Sequence, residues 1–245
     1  MTDERFDAGG WMPPWIRHEH HQRWAFAARW VRGRVVVDCA CGDGTGSAYF
    51  ARAGAAAVLG IDVASKALAL ARGRHSDLRL AQGSALALPL LARTVDVFVS
   101  LETIEHLATG ERGAKAFVDE VARVLKPNGI FVCSTPDRDV YNPGKTENAA
   151  PWNPFHVREY DRGEFTRILS RRFERVVVYG QNPRSRLLAR ALRLVGSLPG
   201  HLAVRCAQVS KMMRAPFDHA EAHAVVPARP EIRYEYLVAV CSGPR

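Results

Sequence analysis

The stretch VVVDCACGDGTGS, residues 35–47, decides the fold. An apolar run ends in the acid Asp38, and three glycines follow at alternate positions, Gly42, Gly44 and Gly46. A backbone that approaches a ligand closely at the end of a parallel strand needs residues without a β-carbon. The stretch therefore predicts a buried strand followed by a ligand-binding turn, although several unrelated classes of cofactor binder use such a turn.

Strand-like and helical patterns alternate around this turn, which is typical of a parallel sheet with helices on both faces. We predict an α/β, doubly wound, seven-stranded and mostly parallel sheet, with an N-terminal helix and a helical insertion before the last strand. The seven strand-like segments are RVVVDCA, AAVLGIDVA, DLRLAQGSA, TVDVFVSLE, IFVCSTP, ERVVVYGQN and YEYLVAVCS.

The 245 residues contain no Ser/Gly-rich linker, so we predict one domain spanning residues 1–245. Within that domain we expect four parts. They are an N-terminal helical cap (1–33), a cofactor-binding core (34–136), an acceptor loop (137–160) and a helical lid insertion (183–232).

Composition excludes disorder, because 47% of the residues are hydrophobic and 24% are charged. No apolar run approaches the roughly 20 residues of a membrane span, and residues 1–10 lack the pattern of a secretory signal. We therefore expect a cytoplasmic protein without a transmembrane segment. The net charge of +9 leaves three interpretations open: a partner that carries phosphates, an anionic membrane surface, or solvated arginines.

Asp62 ends the second predicted strand, eighteen residues after Gly44. A carboxylate at this position can accept hydrogen bonds from both hydroxyls of an adenosine ribose. The glycine turn and Asp62 together indicate a nucleoside-containing cofactor. They do not distinguish a nicotinamide dinucleotide from S-adenosylmethionine.

From about residue 34 to 136 the chain resembles the class I S-adenosylmethionine-dependent methyltransferases, which have a Rossmann-like fold. Five segments resemble the motifs of this family in order: VVVDCACGDGTGS, GIDVASKALALA, QGSALALPL, VDVFVSLETIEHL and EVARVLKPNGIFVCSTP. The resemblance implies S-adenosylmethionine as cofactor, bound by Asp38, Ala40, Gly42, Gly44, Asp62, Val63, Ser84, Ala85 and Leu101. Two positions depart from the family pattern: Ala40 replaces a usual glycine, and Ser84 stands where an acid often contacts the adenine.

The N-terminal segment PWIRHEHHQRWAFAARWV predicts an amphipathic helix. Packing onto the sheet is one interpretation. Methyltransferases of this type often close the cofactor cavity with such a helix, which implies that Arg23 or His20 lies near the methionine carboxylate.

The segment LETIEHL follows the fourth predicted strand. If it is helical, Glu102, Glu105 and His106 share one face, where two carboxylates repel unless a cation, a proton or an arginine lies between them. The segment is similar to the E-x-x-E-H pattern of ubiquinone-pathway O-methyltransferases and small-RNA ribose methyltransferases, where the pattern implies magnesium. His156 is the positional counterpart of a further histidine. Three interpretations stay open: Mg²⁺ bound by Glu102, Glu105, His106 and His156; catalysis by His106 as base with His156 and Glu102; or pocket lining.

We expect methyl transfer to a hydroxyl of a sugar or a hydroxylated natural product, a small-molecule acceptor that is bulky and partly apolar. Methylation of an RNA 2′-hydroxyl, or of nitrogen or carbon in a small molecule, is the alternative. The basic pattern at residues 183–195 predicts a helix that covers the acceptor, lies on a membrane or forms a homodimer interface.

Overall fold

The computed structural model describes residues 14–147, 149–184 and 223–245. In this part of the chain, one sheet contains eight strands. They are β1 (Val35–Cys39), β2 (Ala57–Asp62), β3 (Arg79–Gln82), β4 (Val95–Leu101), β5 (Leu125–Pro136), β6 (Phe173–Arg184), β7 (Val226–Pro227) and β8 (Arg233–Pro244).

The sheet has the strand order β3-β2-β1-β4-β5-β8-β6-β7. Strands β1 to β5 run parallel to one another, whereas β8 runs antiparallel between β5 and β6. The predicted doubly wound α/β fold is confirmed, and all seven predicted strands are present. The two-residue strand β7, which pairs with β6, was not predicted.

Six α-helices surround the sheet in the described part of the chain. They are α1 (Pro14–Ala27), α2 (Thr45–Arg52), α3 (Ser65–Arg74), α4 (Glu111–Val124), α5 (Arg138–Tyr141) and α6 (Arg162–Leu169), with 3₁₀ turns at Ala28–Trp30 and Ile104–His106. No helix among the residues that the structure describes is long and apolar enough to cross a bilayer.

The central strands are apolar on both faces because helices cover both faces. Val97 and Val99 of β4 pack with Phe26 of α1 and Phe50 of α2. Phe98, between those two valines, points to the opposite face and packs with the apolar residues of α4. Because successive side chains of β4 point to opposite faces of the sheet, the core consists of two clusters, one on each side of the sheet.

The strand order reverses direction at β1, because β2 lies on one side of it and β4 on the other. In parallel α/β sheets, ligands bind at the carboxyl ends of the strands on either side of such a reversal. Asp62 ends β2 and Glu102 directly follows β4, so both lie at this edge.

Two boundaries differ from the predictions. The predicted turn KPNG belongs to β5, which begins at Leu125 and changes register against β4 between Val95 and Val97. Pro183 and Arg184, placed at the start of the lid insertion, belong to β6. The rest of the predicted basic helix lies outside the described residues, as does the insertion up to residue 222.

Candidate active site

The glycine turn lies between β1 and α2, and its glycines have different roles. Gly44 has a φ of 79°, a left-handed conformation that glycine adopts without strain. A β-carbon at Gly46 would lie 2.8 Å from Trp24 Nε1 and 3.2 Å from Asp38 Oδ2. Gly46 is therefore required for packing against α1 and Asp38, whereas the sequence interpretation assigned all three glycines to ligand approach.

Ala40, the first of the two departures from the family pattern, has a φ of 61°. This left-handed conformation strains an alanine by about 1–2 kcal/mol, because its β-carbon approaches the following carbonyl oxygen. The turn thus keeps a conformation suited to glycine although a methyl group is present.

Asp62 is fixed by main-chain contacts at the end of β2. Its Oδ2 accepts from Gly42 N at 3.0 Å, and its Oδ1 accepts from Ala64 N at 2.8 Å. Each carboxylate oxygen has a second lone pair for a further hydrogen bond. The neighbouring Val63 is 64% exposed, which is unusual for a large apolar side chain and offers a surface to an aromatic ring. An oriented carboxylate beside an exposed apolar side chain fits an adenosine.

Three other predicted cofactor residues lie at the same edge of the sheet. Ser84 Oγ accepts from Leu86 N at 3.1 Å, so this hydroxyl stabilises the turn after β3. Ala85 beside it and Leu101 at the end of β4 are partly buried. Their contact with a cofactor stays a prediction.

Asp38 is buried beneath the glycine turn. Ser47 Oγ donates to its Oδ2 at 2.6 Å. Burial raises the pKa of Asp38 to about 6, with a further increase from the nearby Asp62 and Asp43 that the Ser47 hydrogen bond opposes. The native state therefore binds a proton at Asp38 more tightly than the unfolded chain does.

This raised pKa predicts how stability depends on pH. Between about pH 4 and pH 6 the native state holds more protons, so the free energy of unfolding falls as pH rises, by up to about 3 kcal/mol. Asp38→Asn keeps an acceptor for Ser47 and is expected to remove this decrease. Urea unfolding at pH 4.5 and pH 7 measures the effect, with the exposed Asp77→Asn as control. An equal pH dependence in both variants would contradict the assignment.

Arg23 belongs to α1, and its side chain lies in a buried polar cluster. Its Nη1 donates to Gln181 Oε1 at 2.6 Å, and its guanidinium lies 4.4 Å from the ring centroid of Tyr236. Burial lowers the pKa of Arg23, but Glu102, Tyr236 and Glu19 outweigh that effect, so the pKa lies above its ordinary value. Arg23 therefore stays positively charged. Its contact with a methionine carboxylate remains a prediction.

His20, the alternative to Arg23, has a different electrostatic environment. Burial lowers the pKa of His20 well below its ordinary value, and the positive charge of Arg23 adds to this effect. His20 is therefore neutral near pH 7 and does not provide the positive charge that a carboxylate would prefer.

The predicted helical face of Glu102, Glu105 and His106 is wrong. Glu102 follows β4 with a φ of 54°, and Ile104–His106 forms a 3₁₀ turn. Glu102 Oε1 accepts from Ser134 Oγ at 2.6 Å. Because its backbone is left-handed, Glu102 does not stand one helical turn before Glu105 and His106.

Glu105 belongs to this 3₁₀ turn and is 1% exposed. Its Oε2 accepts from Thr135 Oγ1 at 3.0 Å, whereas its Oε1 has no hydrogen-bond partner. Burial raises the pKa of Glu105 well above its ordinary value, and the negative charges of Glu102 and Glu159 raise it further. A carboxyl group in these surroundings requires a proton or a cation.

His106 is oriented by the acceptor loop. Its Nδ1 lies 3.0 Å from the carbonyl oxygen of Phe155, so Nδ1–H donates and the neutral ring carries its lone pair on Nε2. That Nε2 lies 3.9 Å from Glu105 Oε1. The side chain is 35% exposed, so His106 combines a fixed ring nitrogen with access from solvent.

The acceptor loop brings His156 to His106. The two ring centroids are 4.9 Å apart with an interplanar angle of 83°. His156 Nδ1 lies 2.6 Å from Glu159 Oε1, and its Nε2 lies 3.0 Å from Asn153 Nδ2. The predicted proximity of His106 and His156 is therefore present in the structure.

Glu159, Ser134 and Thr135 contact the site but were missed by the sequence analysis. The i, i+3 spacing of His156 and Glu159 was a signal for the first of them. Ser134 and Thr135 lie at the end of β5, the neighbour of β4, and only the strand pairing places them beside Glu102 and Glu105.

Three side chains of the site could hold a metal ion together. Glu105, His106 and His156 each place one ligand atom within 4.8 Å of the others, whereas Glu102 is not in this group. Two imidazoles and one carboxylate suit Mn²⁺, Fe²⁺ or Zn²⁺ better than Mg²⁺, which prefers oxygen ligands and strict octahedral geometry. The residues therefore fit a divalent metal, but they do not favour the predicted magnesium.

Comparisons with known proteins agree with this geometry. Residues 37–133 match the family model described as a methyltransferase domain. A solved S-adenosylmethionine-dependent methyltransferase of Thermotoga maritima superposes with a TM-score of 0.59 over 94% of this chain and 92% of its own, at 16% identity, which is a likeness of fold. Residues 37–133 are thus similar to a methyltransferase domain, and the chain shares the fold of this solved methyltransferase.

Two curated relatives extend the comparison. A Mycolicibacterium smegmatis protein named "probable S-adenosylmethionine-dependent methyltransferase" is 36% identical over 155 residues, which are 63% of this chain and 57% of the relative. A ubiquinone biosynthesis O-methyltransferase of Azorhizobium caulinodans is 32% identical over 130 residues, 51% of this chain and 48% of the relative. The chain thus spans about half the length of the curated relatives it matches.

Proposed function

We propose that this chain transfers the methyl group of S-adenosylmethionine to an oxygen of a small molecule, a sugar hydroxyl or the hydroxyl of a natural product. One observation carries the proposal: His106 presents Nε2 at the carboxyl end of β4, with Nδ1–H donated to Phe155 O at 3.0 Å. An O-methyltransferase among the relatives supports oxygen as the acceptor atom.

The cofactor, when bound, supplies a methyl group on an already activated sulfonium, so the residues must align the acceptor and take its proton. We assign the cofactor to the edge formed by β1, β2 and β4. Asp62 would bind the ribose beside Val63, and the glycine turn would leave room for the methionine portion. The other residues assigned to it are Arg23, Asp38, Ala40, Ser84, Ala85 and Leu101.

His106 is the residue that we assign to the proton. An alcohol is a poor nucleophile until its proton begins to leave, and a neutral imidazole nitrogen near the working pH is suited to accept that proton. The carbonyl of Phe155 holds the ring in the required tautomer before an acceptor arrives. The buried Glu105 lies behind His106, where its carboxyl group faces the same ring nitrogen at 3.9 Å.

A divalent metal at Glu105, His106 and His156 is the second candidate for activating the acceptor. The donor set described above favours it, because Glu105 Oε1 is buried without a hydrogen bond. A metal ion would supply a positive charge that lowers the proton affinity of the acceptor hydroxyl. In that case the protein residues contribute binding and orientation, and His106 does not accept the proton.

The cofactor assignment is tested by calorimetry with S-adenosylhomocysteine. Asp62→Ala is expected to weaken its binding about 10- to 100-fold, because a hydrogen bond to a charged group contributes about 1.5–3 kcal/mol. Asp77→Ala, which removes an exposed acid just before β3, is the control and is expected to bind as the wild type does. Binding of a nicotinamide dinucleotide in place of S-adenosylhomocysteine would overturn the proposed function.

A further inference from the structure

A buried pair, His156 and Glu159, lies beside the proposed base, and its carboxylate has no assigned role. The side chains are 5% and 1% exposed, and Nδ1 of the ring lies 2.6 Å from Oε1 of the carboxylate. A buried carboxylate is unfavourable unless its oxygens accept hydrogen bonds. Both oxygens of Glu159 do so, because its Oε2 accepts from the Asn142 side-chain amide.

The side chain of Asn142 is held in one orientation by the main chain, and it in turn holds the carboxylate of Glu159. Its Oδ1 accepts from Trp152 N at 2.8 Å, which leaves its amide nitrogen to face Glu159. The order of contacts therefore runs from the main chain of Trp152 through Asn142 and Glu159 to the ring of His156. In each of these contacts, the chemistry of the two groups decides which atom donates the hydrogen bond and which atom accepts it.

Contacts at the two ring nitrogens determine the tautomer of His156. Asn153 Oδ1 accepts from Phe155 N at 3.0 Å, so the amide nitrogen of Asn153 is the group that faces His156 Nε2. Nε2 must then be an acceptor, and Nδ1 carries the proton that is donated to Glu159. Two independent contacts, one on each ring nitrogen, thus require the same tautomer.

His106 has that tautomer as well, but for a different reason. The acceptor of its Nδ1–H is the Phe155 carbonyl, a main-chain group that no side-chain substitution removes. The two imidazoles, 4.9 Å apart, therefore both carry their lone pair on Nε2. The tautomer of His106 is set by the main-chain carbonyl of Phe155, and the tautomer of His156 is set by Glu159.

We propose that Glu159 is a positioning residue of the candidate active site: braced by Asn142, it holds His156 in the Nδ1–H form with Nε2 as the accepting atom. Outer carboxylates of this kind fix the tautomer and the ring orientation of functional histidines. The proposal rests on the proposed function only in assigning His156 to the methyl-transfer site. The tautomer itself does not depend on that function.

The test is nuclear magnetic resonance of ¹⁵N-histidine-labelled protein, with His156 identified by its loss in His156→Gln. The wild type is expected to show a protonated Nδ1 and an unprotonated Nε2 at both His156 and His106. In Glu159→Ala, His156 is expected to lose this single tautomer, whereas His106 keeps it and serves as the control within the same spectrum. Glu159→Gln is expected to hold the tautomer less completely than the wild type, because its single carbonyl oxygen faces two donors, His156 Nδ1–H and the Asn142 amide.

Three results would overturn the proposal: a protonated Nε2 at His156 in the wild type, an unchanged His156 in Glu159→Ala, or an equal change at both histidines. The wild-type spectrum is decisive even if the alanine variant does not fold. Calorimetry with S-adenosylhomocysteine on the same samples separates the two proposals. A wild type that does not bind this ligand refutes the proposed function, while the spectra still decide the role of Glu159.

Discussion

Replacing His106 by asparagine is expected to lower kcat for methyl transfer to an oxygen acceptor by about 10²–10⁴-fold, the usual contribution of a positioned proton acceptor. Asparagine can still donate to Phe155 O, so the acceptor loop keeps its contact while the basic nitrogen is lost. Binding of S-adenosylhomocysteine is expected to stay unchanged. The measurement is the rate of S-adenosylhomocysteine release with hydroxylated small molecules as acceptors.

His21→Asn is the matched control, because His21 is an exposed histidine on α1.

Glu105→Gln distinguishes the two ways of activating the acceptor, since glutamine keeps the hydrogen bond from Thr135 but is not an anionic metal ligand. If His106 is the base, this variant and a chelator leave the rate nearly unchanged. If a metal is required, both abolish transfer. Full activity of His106→Asn would refute both versions.

Replacing Arg138 by leucine is expected to lower the free energy of unfolding by about 1.5–3 kcal/mol, because the partly buried Asp161 and Glu164 each lose a hydrogen bond from a charged group. Arg138 Nη2 lies 2.6 Å from Asp161 Oδ2, and Nη1 lies 2.5 Å from Glu164 Oε2. The same two acids form the capping box at the start of α6. One arginine thus connects the end of β5 to the helix that follows the acceptor loop.

Urea unfolding at pH 7 measures this effect. Arg167→Leu is the control, because Arg167 is 57% exposed and lies 3.4 Å from Glu111, a surface pair worth about 0–1 kcal/mol. Equal losses of stability in the two variants would mean that Arg138 acts as an ordinary surface charge.

The fold was predictable because its signals are local. Apolar runs, glycines and helical periodicity identified seven strands, and the strand ends placed Asp62 and the glycine turn at one edge. The shape of the turn after β4 was not predictable from periodicity, because the left-handed backbone of Glu102 interrupts the helical spacing. Contacts such as Asn142 with Glu159 depend on how the acceptor loop folds back, which spacing along the chain does not reveal.

The acceptor loop is also attached to the 3₁₀ turn through main-chain atoms. The carbonyl oxygen of Glu105 accepts from Val157 N at 2.8 Å and from Arg158 N at 3.1 Å. Backbone hydrogen bonds of this kind do not depend on which side chains the loop carries. Side-chain substitutions in the acceptor loop are therefore expected to change the surface offered to an acceptor while these two main-chain hydrogen bonds keep the loop next to His106.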